Sequence, residues 1–135
     1  MTVRFKWEGG RAKWAVRSAI ADGMEKASLE FVKLVKRKIN TPYPPASRPG
    51  EPPHRRTGNL RANIDYWINR KELKVMIGPT EDAEYGIYLE YGAPRANLEP
   101  RPFLKPSMDE MAPRVQSIVG RAAQTAFKKF GRSGE

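Results

Sequence analysis

The residues able to carry chemistry are few and scattered. A single histidine, His54, stands in a segment dense with proline and arginine. An imidazole works as a general base or metal ligand only beside a partner at the right spacing. No histidine or carboxylate partner stands near at ligand spacing, so His54 reads as a solvated loop residue. Glu81, Asp82 and Glu84 cluster three carboxylates. Hard cations take such oxygens, but the glycine turn and closing glutamate of a calcium loop are missing. Gly9-Gly10 and Gly58 lack the Gly-Lys pair of a phosphate loop. There is no cysteine, which removes thiolate nucleophiles, thiolate metal sites and disulfides together. The pattern assigns no catalytic residue, no cofactor and no metal.

What remains is suited to binding. Tyr85, Tyr88 and Tyr91 recur every three residues. Such a stripe is a stacking platform for bases or, as preferred here, part of a core or subunit interface. Arg55-Arg56 and Lys36-Arg37-Lys38 are short basic runs, read as solvated faces rather than specific nucleic-acid contacts.

The charge is unevenly spread. The 135 residues carry a net +10, with a pI of about 10.1. That balance suits nucleic acid, a membrane surface or an acidic protein. Residues 1–39 hold ten Lys/Arg against four Asp/Glu, a net of +6. Residues 40–70 hold five against two, and residues 71–105 five against six. Residues 106–135 hold five against three. A DNA-binding module has little use for Glu81, Asp82, Glu84 and Glu90 in one stretch, whereas a self-assembling subunit uses both signs.

These residues need elements to position them. Residues 2–8 alternate, with Val3, Phe5 and Trp7 on one side, as in a half-buried strand. Residues 11–39 carry Val16, Ile20, Met24, Ala27, Phe31, Leu34 or Val35, and Lys38 at helical steps. Gly23 within them marks a bend or a close contact. Residues 40–56 hold six of the twelve prolines, which predicts an extended, protruding loop that another chain orders. Thr57 reads as the N-cap of a short helix. Ile64, Tyr66 and Ile68, a turn, then Leu73, Val75 and Ile77 make a β-hairpin. Residues 83–91 fit a short helix ended by Gly92, and 93–105 are irregular. Ser107 and Glu110 form a capping box for a last helix over 107–129. Its stripe is Met111, Val115, Ile118, Ala122 and Ala126, with Phe127 adding bulk. The expected fold is α+β, an antiparallel sheet covered on one face by a long N-terminal and a C-terminal helix. A single domain spans 1–135, with 40–56 as its loop and 131–135 as a flexible tail. No signal-like run and no stretch of 18 apolar residues occurs, so synthesis in the cytoplasm is expected.

Three runs, in order, resemble a known family. Pro49-Gly50-Glu51-Pro52-Pro53 is followed by Thr57-Gly58-Asn59-Leu60-Arg61-Ala62-Asn63-Ile64. After the hairpin comes Ala83-Glu84-Tyr85-Gly86-Ile87-Tyr88-Leu89-Glu90-Tyr91-Gly92, and then Arg101-Pro102-Phe103-Leu104-Lys105-Pro106. Together they resemble phage neck proteins, the small head–tail joining or tail-completion proteins of siphophages and prophages, over residues 2–130. Tyr91 stands where that family often has Phe, and residues 93–99 are longer than its usual link.

The resemblance implies a structural virion protein without catalysis, a homo-oligomeric ring between head connector and tail. Its implied partners are other copies of itself, as a hexamer or dodecamer, and the neighbouring connector and tail proteins. The basic charge would in addition tolerate non-specific contact with DNA in the lumen, and no membrane partner is expected. The motif residues Thr57, Gly58, Leu60, Arg61, Tyr85, Tyr88, Leu89, Glu90, Gly92, Arg101, Pro102 and Phe103 are the expected interface, although Phe103 reads first as a core residue placed before the last helix. Lys33, Lys36 and Arg37 on one subunit, against Glu81, Asp82 and Glu84 on the next, are the expected charged contact. The alternative is a small basic nucleic-acid-binding module, which the pI and the tyrosines support.

Overall fold

A computed structural model describes residues 2–4 and 13–130. Its elements are β1 (Thr2–Arg4), α1 (Lys13–Lys38), α2 (Asn59–Ala62), β2 (Ile64–Asn69), β3 (Lys74–Pro79), α3 (Tyr85–Tyr91) and α4 (Leu104–Phe130). Single 3₁₀ turns cover Glu81–Ala83 and Pro94–Ala96. The architecture is α+β. The remainder of the expected first strand, residues 5–8, and the tail 131–135 lie outside the described residues.

β3 is the centre of a three-stranded antiparallel sheet in the order β1-β3-β2. Thr2 faces Met76 across β1 and β3, and Ile64 to Asn69 face Pro79 to Lys74 in the hairpin. The expected inward set Ile64, Val75 and Ile77 is buried, with Tyr66 and Ile68 half-buried beside it. Leu73 sits not in the return strand but in the turn, at φ 53, with its side chain 0% exposed. A left-handed backbone costs a non-glycine residue roughly 1–2 kcal/mol. Burying a leucine side chain returns about 1.5–3 kcal/mol, so burial wins at this turn.

α1 carries the inner layer. Val16, Ile20, Met24, Ala27, Phe31, Leu34 and Val35 are all buried, the stripe that the spacing requires. Arg70, at the hairpin tip, ties β2 to α1 by pairing with Asp22 at 2.6 Å and Glu25 at 3.2 Å. The Tyr66 hydroxyl donates to Glu25 at 3.0 Å, and burial together with that carboxylate holds its pKa above the usual tyrosine value.

α4 runs antiparallel to α1. Lys38 pairs with Glu110 at 2.7 Å, Glu30 with Arg114 at 3.1 Å, and Gly23 lies against Val119 and Ala122. A Cβ on Gly23 would stand 2.9 Å from the Ala122 Cβ, so this glycine permits close helix approach. Hydrogen bonding to Arg114 and to Lys38 holds the Glu30 and Glu110 carboxyls below their ordinary pKa. Met111, Ile118, Val119 and Ala126 are buried, but Phe127 is 43% exposed rather than packed inside.

The start of α4 departs from the expected capping box. The helix begins at Leu104, three residues earlier, and the Ser107 hydroxyl donates back to the Phe103 carbonyl at 2.5 Å. Glu110 is taken by Lys38. A different residue caps the helix, as described below. Pro106 falls in the first turn, where a missing N–H is tolerated.

The proline-rich loop over 40–56 holds no helix or strand. Its backbone remains mostly exposed, yet contacts within this chain define its path. Arg55 N–H donates to the Thr41 carbonyl at 2.7 Å and Tyr43 N–H to the Arg55 carbonyl at 2.9 Å. Gly50 N–H donates to the Pro100 carbonyl at 2.9 Å, pinning the loop tip to the segment before α4. His54 is half-buried, its Nδ1 donating to the Pro45 carbonyl. No described helix is long and apolar enough to cross a membrane.

Candidate functional site

Glu90 organises the region where the motifs meet. It lies near the end of α3 and is only 6% exposed. Its carboxylate accepts from the backbone amides of Phe103 at 2.7 Å, Leu104 at 2.8 Å and Lys105 at 2.9 Å. Those are the orphan donors at the positive end of α4, so one side chain supplies both the cap and the countercharge. The second and third motifs are therefore joined inside one subunit. Glu90 cannot belong to a surface acidic group, and Phe103, 0% exposed, is core and not an interface anchor. This corrects the expected surface placement of Glu90 and agrees with the reading of Phe103 as a core residue.

Gly92 ends α3 at φ 78, where a Cβ would lie 2.9 Å from the Leu98 carbonyl oxygen. That turn sends the chain through 93–100 and back to α3, where Arg101 N–H donates to the Leu89 carbonyl. Pro102 and Leu89 are half-buried along the return.

The first motif folds one residue later than expected. Gly58, at φ 83, occupies the N-cap position of α2, and Thr57 Oγ1 instead accepts from the Asn59 amide at 3.2 Å. A left-handed cap favours glycine over threonine. From α2, Arg61 Nε donates to the Lys36 carbonyl at 3.3 Å on one side. Asn59 Nδ2 donates to the Asp82 carbonyl at 2.9 Å and the Tyr85 hydroxyl at 3.3 Å on the other. The basic end of α1 and the acidic 81–84 segment thus flank the same short helix. Lys33, Arg37, Glu81, Asp82 and Glu84 are exposed, and Lys36 is half-buried.

The tyrosines are neither core nor inward-facing. Tyr85, Tyr88 and Tyr91 are 46%, 58% and 77% exposed, and Ile87 is 46% exposed beside them. The inward face of α3 is Gly86, Leu89 and Glu90. Beside this surface, the loop, α2 and the segment before α4 line a half-open cavity of about 500 Å³, with Tyr85 in its wall. Ser47 and Arg101 line it. The arginine density around the loop was visible in the sequence; nothing there marked Ser47.

The chain is thus a small α+β module, a three-stranded sheet under two antiparallel helices with an exposed aromatic face on α3. The chain belongs to the HK97-gp10-like family, whose description is "Bacteriophage HK97-gp10, putative tail-component" and which matches residues 10–92. The match spans α1, the loop, the hairpin and α3 through Gly92, and stops before Arg101-Pro102-Phe103. It is a phage structural protein of the tail-component class, which implies a place in the virion among other phage structural proteins. No curated protein and no solved structure matches the chain.

Proposed function

We propose that this protein is a neck or tail-completion subunit that assembles into a closed ring joining the head connector to the tail, and that it catalyses nothing. The observation that carries the reading is the exposed aromatic face of α3 beside the exposed carboxylates Glu81, Asp82 and Glu84. A ring closes through head-to-tail contacts in which one surface meets a different surface of the next copy. The basic end of α1, with Lys33, Lys36 and Arg37, offers the complementary charge. Exposed ion pairs are each worth about 0–1 kcal/mol, so they set register while Tyr85 and Tyr88 supply affinity. The motif residues at the surface, Thr57, Gly58 and Arg61 among them, belong to the same contact region. The basic lumen of such a ring tolerates passing DNA.

Charge reversal tests this. Lys33, Lys36 and Arg37 changed together to Glu should leave the monomer folded and weaken assembly, measured by sedimentation or by incorporation into particles. Adding Glu81→Lys, Asp82→Lys and Glu84→Lys in the same chain should restore part of it. Rings that form normally with the first set, and fail only in DNA-filled particles, would assign the basic face to DNA instead.

A further inference from the structure

The cleft beside the proline-rich loop is lined by positive charge alone. Arg55, Arg56, Arg61 and Arg101 line it, and no carboxylate does. Arg61 and Arg101 direct their Nε–H groups to the carbonyls of Lys36 and Ser47, and Arg56 stacks over the Tyr43 ring at 4.3 Å. Among the described residues none of the four pairs with a carboxylate. A second observation points the same way. Ser47 is 6% exposed, lines the cavity, and its Oγ is the buried side-chain polar atom without a partner among the described residues. A buried hydroxyl left unpaired is costly, and a ligand that accepts from it removes that cost. Four cations around a concave space with an unused donor make a site for an anion.

The floor decides which anion. Leu60, Leu89 and Leu98 give it an apolar base. A nucleic acid needs open aromatic faces for stacking and a groove to track its backbone. Of the two aromatics in the lining, Tyr43 carries Arg56 over its ring and Tyr85 accepts from Asn59 through its hydroxyl, and a space of about 500 Å³ admits a few side chains rather than a strand. We infer that this cavity receives an extended acidic segment of a different protein, with an aliphatic side chain on Leu60 and Leu89 and carboxylates on the arginines and the Ser47 hydroxyl. A different protein is favoured over a second copy because this chain carries a net +10 and its exposed 81–84 carboxylates already flank α2, beside the cavity. Arginine's planar fork suits carboxylates in two-point contacts. The inference stands whether or not the protein forms a ring.

The test is an NMR titration of the full chain with N-acetyl-Glu-Leu-Glu-amide to millimolar concentration, and with oligothymidylate in parallel. Saturable shifts are expected at the amides of Ser47, Leu60 and Arg61. Ser47→Ala and Arg56→Ala should each weaken peptide binding about tenfold, the usual loss for one charge-assisted contact, without lowering the melting temperature. Replacing the central Leu of the peptide by Ser should also weaken it. The inference is overturned if the peptide causes no saturable shifts, if both variants bind it as the wild type does, or if oligothymidylate binds the same residues more tightly.

Discussion

Replacing Glu90 by Ala should be among the most damaging single changes to this fold, although the residue is charged and lies in a surface-facing helix. Its carboxylate takes three amides at 2.7–2.9 Å, two of them on the buried residues Phe103 and Leu104. Removing it leaves those two donors with no acceptor in a dry site, at about 1–3 kcal/mol each. The Lys105 amide belongs to an exposed residue and recovers water. Loss of the negative charge at the α4 N-terminus adds roughly 0.3–1 kcal/mol. The sum is about 2–7 kcal/mol, and its midpoint of about 4–5 kcal/mol is a third or more of the roughly 10 kcal/mol that a typical domain of this size has. At about 3–5 °C per kcal/mol the melting temperature should fall by about 10–20 °C. Glu90→Gln keeps one acceptor oxygen and should lose about half as much. Glu84→Ala, on an exposed carboxylate of the same region, is the control and should change little. Thermal melts followed by circular dichroism give the numbers, and amide exchange should speed up first at Phe103 and Leu104. A Glu90→Ala protein melting within a few degrees of wild type would refute the capping argument.

Two further outcomes follow from the helix pair. Gly23→Ala should destabilise slightly, because the overpacking cost of about 1–3 kcal/mol against Ala122 exceeds the roughly 1 kcal/mol gained in helix propensity. Combining it with Ala122→Gly should show favourable coupling in a urea-denaturation cycle, and strict additivity would contradict the close approach. The Glu30–Arg114 and Lys38–Glu110 pairs lower both carboxyl pKa values in the folded state, so their contribution is present above the ordinary value of 4.5. It is lost as the pH falls through the lowered folded values. A Glu30→Gln, Glu110→Gln protein should therefore lose less stability than wild type between pH 5 and strongly acidic conditions, read as urea midpoints. Equal losses would mean that the pairs contribute nothing.

The parts of the fold that were legible in the sequence are those governed by local periodicity. The α1 stripe from Val16 to Val35 and the alternation of Ile64, Tyr66 and Ile68 report which side of an element faces the core, because neighbours along the chain share that face. Features set by distant partners were not legible. Ser107 and Glu110 have the spacing of a capping box, yet Glu90 reaches the helix start from another element and moves it to Leu104. The same long-range contact hid Glu90 among surface carboxylates. Leu73 looked like a strand residue because it is apolar and in phase, while the four-residue turn from Arg70 to Leu73 took it out of the strand. Tyr85, Tyr88 and Tyr91 gave a helical spacing without saying which face points inward; Gly86 and Glu90 decide that, by close packing and by capping. The cavity arises from the loop folding back through Gly50 and Arg101, contacts 50 or more residues apart in sequence.

The position of the protein in the particle separates a neck subunit from any other tail component. Electron microscopy of virions carrying a labelled copy of this chain measures it directly. The account predicts a closed ring of labelled density at the junction of head and tail. Label spread along the tail tube, or absent from finished particles, would contradict it.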